Sequence, residues 1–196
     1  MSNNADVSAA PVSRRAATII LSGALCQATA PSYAETTELG SAMTGRIDAR
    51  LQELGITLPT PPAPVASYVP FVIVGNVVHV SGQVSVDAGG GIKGKLGDQI
   101  EVEEGQAAAR LCAINLLAQV KAACGGDLDR VRRVVKLNGF VNVTPQFDPI
   151  PQVMNGCSDL MVSVFGDAGR HARAAVGMAN LPMGFAVEVD GLFEIE

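Results

Sequence analysis

Aromatic residues are scarce in this chain of 196 residues, which has no tryptophan, two tyrosines and six phenylalanines. A core must therefore be built from aliphatic side chains, and an apolar fraction of 48% supplies enough of them. The sequence has no internal repeat, and no stretch from residue 43 to residue 196 is apolar for long enough to cross a membrane. We therefore expect one compact domain over residues 43–196, with no membrane contact in the mature protein.

Histidine is rare, and the common cofactor motifs are missing. His79 and His171 are the two histidines; no Ser-His-Asp order is legible, and no zinc-ligand spacing occurs. The chain lacks a dinucleotide fingerprint, and the glycine-rich stretch at 87–97 lacks the lysine placement of a phosphate-binding loop. The sequence thus predicts neither a metal nor an organic cofactor. His79 alternates with Val78 and Val80, which indicates a packed or edge histidine on a strand.

Positive charge is limited as well. The net charge is −5, and leaving out the two arginines and three acidic residues of the N-terminal segment 1–42 gives −4 for the remainder. Because nucleic-acid-binding domains carry basic surfaces, a ribonuclease or any other nucleic-acid partner is not expected. The basic cluster of Arg130, Arg132, Arg133 and Lys136 is interpreted as a solvated or intersubunit strand face.

Four cysteines are present, at Cys26, Cys112, Cys124 and Cys157. Without the N-terminal segment 1–42 an odd number remains, with no close pairing, which favours small buried or half-buried thiols over disulfides. Unpaired thiols of this kind are typical of a reducing compartment.

The N-terminal segment 1–42 differs in character from the rest of the chain. Arg14 and Arg15 precede an apolar stretch at 16–26, and an Ala-x-Ala site follows at 28–30, which is the pattern of a secretory signal. Two other interpretations stay open: a disordered tail, or a start assigned too early, with Met43 as the natural one. A genuine signal implies export to the periplasm, and a start near Met43 implies a cytoplasmic protein.

The spacing of apolar residues predicts a short helix followed by the order β-β-α-β-α-β-β. The predicted elements are a helix at 46–54, two strands around a Gly75-Asn76 hairpin loop, a helix from Glu101 to Cys124, a strand from Arg130 to Asn142, a helix from Asp148 to Gly166 and two C-terminal strands. Asp148 and Pro149 are expected as the N-cap and first residue of the last helix. Two amphipathic helices on one face of a mixed sheet make an α+β sandwich.

Residues 169–196 carry the most chemical information. From Phe185 to Glu196 apolar and acidic residues alternate, which predicts a half-buried antiparallel strand. Arg173 lies in a run of small and apolar residues with strand character, two residues after His171, so both fall on one strand face. An arginine in such a strand is unfavourable unless it is paired or serves a ligand, and its planar fork suits a carboxylate. The alternative is a structural ion pair at a subunit contact, with Glu188 as a candidate partner.

A series of short motifs runs in order from about residue 46 to residue 196. It consists of Tyr68-Val69-Pro70, Gly75-Asn76, Val80-Ser81-Gly82-Gln83, Glu103-Glu104-Gly105-Gln106, Gly126-Asp127-Leu128, Phe140-Val141, Val153-Met154-Asn155-Gly156 and the C-terminal segment. This series resembles the Rid family, also called YjgF/YER057c/UK114 and formerly endoribonuclease L-PSP, in a longer branch. The resemblance implies a chorismate-mutase-like (YjgF) sandwich and a homotrimer with clefts between subunits.

The resemblance also implies an activity: hydrolysis of 2-iminobutanoate, 2-iminopropanoate and similar enamine or imine acids to 2-keto acids and ammonia. In this family the residue matching Arg173 grips the substrate carboxylate, and the residue matching Glu188 lies near the attacking water. Further substrate-binding positions of the family match Tyr68, contributed by a neighbouring subunit, Ser81, Gly82 and Asn155. Structural roles stay open, with Gly82 as a close-approach position and Asn155 as a helix-to-sheet hydrogen bond.

The sequence departs from the family pattern beside Arg173. Ala174 and Ala175 follow it, where a polar or thiol residue is common two places on, and residues 166–169 lengthen the approach to the arginine. These departures keep a second hypothesis open, in which the same fold is a non-catalytic module that binds a carboxylate metabolite or a protein partner.

Overall fold

The computed structural model describes residues 45–61 and 67–196. Its main elements are α1 (Arg46–Glu53), β1 (Phe71–Val74), β2 (Val77–Val84), α2 (Val102–Ala123), β3 (Val131–Asn142), α3 (Ile150–Phe165), β4 (Ala172–Met178) and β5 (Val187–Ile195). The predicted order of elements is confirmed. The signal, tail and start-site predictions for the N-terminal segment 1–42, and Cys26, lie outside the described residues.

The five strands form one mixed sheet in the order β1-β2-β5-β3-β4. All neighbouring strands are antiparallel except β3 and β4, which are parallel. Helices α2 and α3 pack on each other and on one face of this sheet. The α+β class with helices on one face is therefore confirmed, and the opposite face of the sheet (the open face) carries no helix in the described part of the chain.

Strand β5 shows how the alternating sequence produces the two faces. Its odd-numbered residues are buried, with Val187, Val189 and Phe193 at 0% exposure, and the residues between them are half-buried on the open face. The core under α2 and α3 is mainly aliphatic, although Phe165 and Phe193 contribute to it. None of the described helices combines the length and apolarity that crossing a membrane demands.

Three local predictions need correction. The N-cap of α3 is Pro149 and not Asp148, and no side chain caps the helix. Arg130 lies in a 3-10 turn before β3. Register shifts within β3 leave Arg132 and Arg133 both exposed, so the basic cluster does not alternate regularly. The Gly75-Asn76 hairpin is confirmed, since Val74 pairs with Val77 and Gly75 adopts a φ of 61°.

The contact between α2 and α3 depends on Gly156. A Cβ atom at this position would lie 2.0 Å from the backbone oxygen of Gln106 on α2. Because the obstructing atom is backbone, the clash cannot be relieved by a rotamer change. Gly156 therefore allows α3 to lie close against α2, which sets the position of the residues on the outer side of α3.

We expect Gly156→Ala to lower the free energy of unfolding by about 2–3 kcal/mol through overpacking. In a helix free of this clash the same change would stabilise by up to about 1 kcal/mol, so the sign of the effect is diagnostic. Thermal unfolding monitored by circular dichroism measures it, with Asp159→Ala at an exposed position of α3 as the control. A Gly156→Ala variant as stable as the parent would contradict the close packing.

Candidate functional site

An open pocket of about 660 Å³ lies on the open face of the sheet, over β2 and β5. Its lining residues are Tyr68, His79, Val80, Ser81, Gly82, Glu188, Asp190, Gly191 and Leu192. Four of the six residues predicted for a site, Tyr68, Ser81, Gly82 and Glu188, are thus brought together. Arg173 and Asn155 are not among the residues that line it.

A β-bulge in β2 shapes the floor of this pocket. Val80 pairs with Gly191 and Gln83 with Val189, so that two residues of β2, Ser81 and Gly82, lie opposite one residue of β5. Bulges of this kind are enriched next to active sites, where they redirect side chains.

Gly82 is a close-approach position, as one interpretation of the sequence proposed. A Cβ atom there would lie 2.0 Å from Oε1 of Glu188. The glycine therefore leaves the space in which the Glu188 carboxylate lies against the backbone of β2.

Ser81 connects β2 to the segment that carries Tyr68. Its hydroxyl donates to the carbonyl of Val69 at 2.8 Å, and its backbone N–H donates to the carbonyl of Pro70 at 2.9 Å. These two bonds hold the segment at the pocket rim, where the Tyr68 side chain remains 51% exposed. An exposed phenol at a rim is available to a ligand or to another copy of the chain.

Glu188 is the pocket carboxyl with a perturbed acidity. Burial raises the pKa of Glu188 above its ordinary value, and the neighbouring Asp190 carboxylate raises it further. Asp190 itself accepts a hydrogen bond from Nδ2 of Asn138 at 2.7 Å. Glu188 therefore holds its proton to a higher pH than an ordinary glutamate, which suits a group that takes up and returns protons.

Arg173 lies elsewhere, on β4, with all its contacts on α3. Nη1 donates to Oδ1 of Asn155 at 3.0 Å and to Oγ of Ser158 at 3.1 Å, and Nη2 donates to the carbonyl of Pro151 at 3.3 Å. Asn155 thus makes a helix-to-sheet hydrogen bond. No described residue accepts from Nε, and Nη2 makes one hydrogen bond for its two N–H groups. The edge that Nε and Nη2 form has the geometry that a carboxylate matches bidentately.

Arg173 and Glu188 point to opposite sides of the sheet within one chain. Arg173 of β4 pairs with Leu137 of the adjacent strand β3, and Leu137 is fully buried under the helices. Glu188 pairs with Phe140, whose side chain lies on the open face. Arg173 and Glu188 therefore form no ion pair within one chain, and the structure describes two separate half-sites.

Several residues at the two half-sites were missed or misread from the sequence. His79 is exposed in the pocket and lies on an internal strand, so it is neither packed nor at an edge. Asp190 and Ser158 carried no motif signal. His171 does lie on the side of Arg173, as its spacing predicted, and contacts Ser158. The period of two in β5 could have suggested Asp190, which shares the face of Glu188.

The cysteines of the described residues have no place in either half-site as reactive groups. Cys112, Cys124 and Cys157 are free and buried, as predicted. Burial raises the pKa of all three thiols and brings that of Cys157 to about 12, although the charge of Arg173 opposes this shift. They therefore remain protonated and act as small apolar side chains. Within residues 45–61 and 67–196, no three His, Cys, Asp or Glu side chains are grouped to hold a metal ion.

Known proteins resemble this chain over most of its length. A family profile described as "YjgF/chorismate_mutase-like, putative endoribonuclease" matches residues 48–192. Protein TCP17 of Trypanosoma cruzi is 56% identical over 153 residues, which cover 77% of this chain and 95% of TCP17. A 2-iminobutanoate/2-iminopropanoate deaminase of Dermatophagoides farinae is 29% identical over 143 residues, covering 72% of this chain and 95% of that protein. A crystal structure of a protein of unknown function from Agrobacterium tumefaciens has a TM-score of 0.71 and 52% identity, covering 76% of this chain and 94% of that chain.

Proposed function

The chain belongs to the YjgF family, also called the Rid family, and from this premise we propose that it is a 2-imino acid deaminase. The substrates are small enamine or imine acids such as 2-iminobutanoate and 2-iminopropanoate, and the products are 2-keto acids and ammonia. The observation that carries the proposal is the unfilled edge of the Arg173 guanidinium, fixed by α3 and ready for a carboxylate. The relative named as a deaminase of this kind supports it.

The two half-sites form one site when two copies of the chain meet. Arg173 lies on β4, an edge strand, so a second copy can reach its guanidinium. The open face of the sheet carries exposed apolar side chains suited to an interface, among them Val72, Val74 and Val176 at 48%, 64% and 46% exposure. In this arrangement, which we propose as a homotrimer, Arg173 of one copy faces Tyr68 and Glu188 of the next.

The proposed chemistry needs few polar groups. After the enamine tautomerises to the imine, Arg173 holds the carboxylate and keeps C2 electron-poor. Water attacks C2, the C=N π electrons move to nitrogen, and Glu188 accepts a proton from the water. The protonated Glu188 then returns this proton to the nitrogen of the carbinolamine. Glu188 then passes the hydroxyl proton of the carbinolamine to the same nitrogen, the C–N bond breaks, ammonia leaves, and the oxygen closes to the C=O of the 2-keto acid.

A ribonuclease activity receives no support from the geometry. The pocket on the open face carries two carboxylates, Glu188 and Asp190, where phosphate oxygens would be repelled. In the basic cluster, Arg130 donates to backbone carbonyls and Arg132 forms an ion pair with Glu196 at 2.9 Å. Arg130 and Arg132 are thus engaged in contacts within the chain, which include the C-terminal residue that follows β5.

A coupled assay tests the proposal. An amino-acid oxidase or a serine/threonine dehydratase generates the 2-imino acid, and keto-acid formation is followed with and without the protein. We expect acceleration proportional to the protein concentration. Binding of 2-oxobutanoate without any acceleration would favour the non-catalytic binding module, a hypothesis that Ala175 supports because it places only a methyl group beside Arg173. A protein that neither binds 2-oxobutanoate nor accelerates imine hydrolysis would contradict both hypotheses.

A further inference from the structure

A chain of hydrogen bonds connects the guanidinium of Arg173 to the backbone of the turn that precedes β4. Nη1 of Arg173 lies 3.1 Å from Oγ of Ser158, and this hydroxyl lies 3.1 Å from Nε2 of His171. Nδ1 of His171 lies 2.6 Å from the carbonyl oxygen of Gly169. His171 and Ser158 are both half-buried, between α3 and the start of β4.

The chemistry of the groups fixes the direction of each bond. A carbonyl oxygen only accepts, so Nδ1 of His171 carries the hydrogen and donates to Gly169. In the neutral ring Nε2 is then the acceptor, and the Ser158 hydroxyl donates to it. The oxygen of Ser158 is thereby turned so that it accepts from Nη1 of Arg173.

Gly169 anchors the start of this chain. It is buried, and a Cβ atom there would lie 2.2 Å from the backbone oxygen of Met161. The turn Gly166–Gly169 therefore packs directly on α3, and its last carbonyl has a defined position beneath His171. The residues that lengthen the approach to Arg173 thus have a structural purpose, which is to supply this anchor.

We propose that His171 and Ser158 are positioning residues for Arg173. They hold Nη1 against α3, so that the Nε and Nη2 edge of the guanidinium faces the substrate carboxylate. Without His171 the Ser158 hydroxyl is free to turn toward the carbonyl four residues earlier in α3, as helical serines do, and Arg173 loses an oriented acceptor. The inference rests on the deaminase function proposed for this chain.

His171→Phe and His171→Gln form the matched pair that tests the inference. Phenylalanine keeps a planar ring without an acceptor, and glutamine can place an amide oxygen near the position of Nε2. For His171→Phe we expect KM for 2-iminobutanoate, and Kd for 2-oxobutanoate measured by calorimetry, to rise roughly tenfold, as for loss of one hydrogen bond to a charged group. The kcat value should stay within about threefold, because uniform binding is what is lost. His171→Gln should recover most of the affinity.

Ser158→Ala supplies a second measurement, since His171 is argued to act through Ser158. In the double variant His171→Phe/Ser158→Ala, binding of 2-oxobutanoate should be no weaker than in Ser158→Ala alone. Additive losses, or wild-type affinity in a folded His171→Phe protein, would overturn the positioning role while leaving the deaminase proposal intact. If His171→Phe fails to fold, binding of 2-oxobutanoate is compared between Ser158→Ala and Ser158→Thr. Ser158→Thr keeps the hydroxyl and is expected to keep the affinity, and Ser158→Ala is expected to lose it. A wild-type protein that neither binds 2-oxobutanoate nor hydrolyses imines would overturn both proposals.

Discussion

Replacing Arg173 with alanine is expected to lower kcat/KM for 2-iminobutanoate by at least a hundredfold. A charge-assisted hydrogen bond contributes about 1.5–3 kcal/mol, so loss of the two that Nε and Nη2 offer to the carboxylate costs about 3–6 kcal/mol, or roughly a hundredfold and more. The variant should fold, because Arg173 lies half-buried at the edge of the sheet and its partners Asn155 and Pro151 remain open to water. Steady-state kinetics with the coupled imine assay measure the loss.

Arg170→Ala is the matched control for this prediction. Arg170 lies three residues earlier, is exposed, and pairs only with the exposed Asp167, at 3.2 Å. Its removal takes the same charge from the same region of the surface. We expect unchanged kinetics, because a surface pair of this kind contributes little and no other described contact links it to the site. Equal losses in both variants would mean that net charge, and not a carboxylate contact, explains the effect of Arg173.

The second large effect is expected for Glu188→Gln, which keeps the size of the side chain and removes its ability to exchange a proton. Positioned acid–base groups contribute about 10²–10⁴-fold, so we expect kcat to fall roughly a hundredfold or more, with KM within about threefold. Glu194→Gln is the control, since Glu194 lies on the same strand and face and accepts only from Asn76, at 3.1 Å. A change in KM with kcat unchanged would contradict a proton-transfer role.

The pH dependence of the wild-type rate gives an independent readout of Glu188. Because burial and Asp190 raise the pKa of Glu188, the carboxylate form is lost at a higher pH than in an ordinary glutamate. The rate should therefore decline on the acid side as pH falls through this raised pKa. In Asp190→Asn one cause of the shift is removed, so the decline should move to lower pH. An unchanged pH profile in Asp190→Asn would mean that the decline in rate at low pH does not come from protonation of Glu188.

Much of the fold was accessible from the sequence because it depends on local patterns. The alternation from Phe185 to Glu196 predicted the two faces of β5, and the helical spacing of apolar residues predicted α2 and α3 to within a few residues. The Gly75-Asn76 pair predicted the first hairpin. In each case a periodicity or a turn residue within a short window carries the information.

The division of the candidate site into two halves could not be predicted in the same way. It depends on which residues pair across strands far apart in sequence, such as Leu137 with Arg173 and Phe140 with Glu188. Spacing along one strand tells only which residues of that strand lie on the same face. The register between strands decides which residues of different strands lie on the same face of the sheet. For the same reason the hydrogen bond from Ser158 to His171, which crosses from α3 to the turn before β4, left no motif in the sequence.

The most direct test of the account mixes two inactive chains. Arg173→Ala and Glu188→Gln chains carrying different tags are expressed together, purified through both tags, and assayed with 2-iminobutanoate. If each site combines Arg173 of one copy with Glu188 of the next, every trimer that carries both tags has one intact site in its three, and activity returns to roughly a third of the wild-type value. Activity no higher than that of the two variants alone would contradict a site shared between copies.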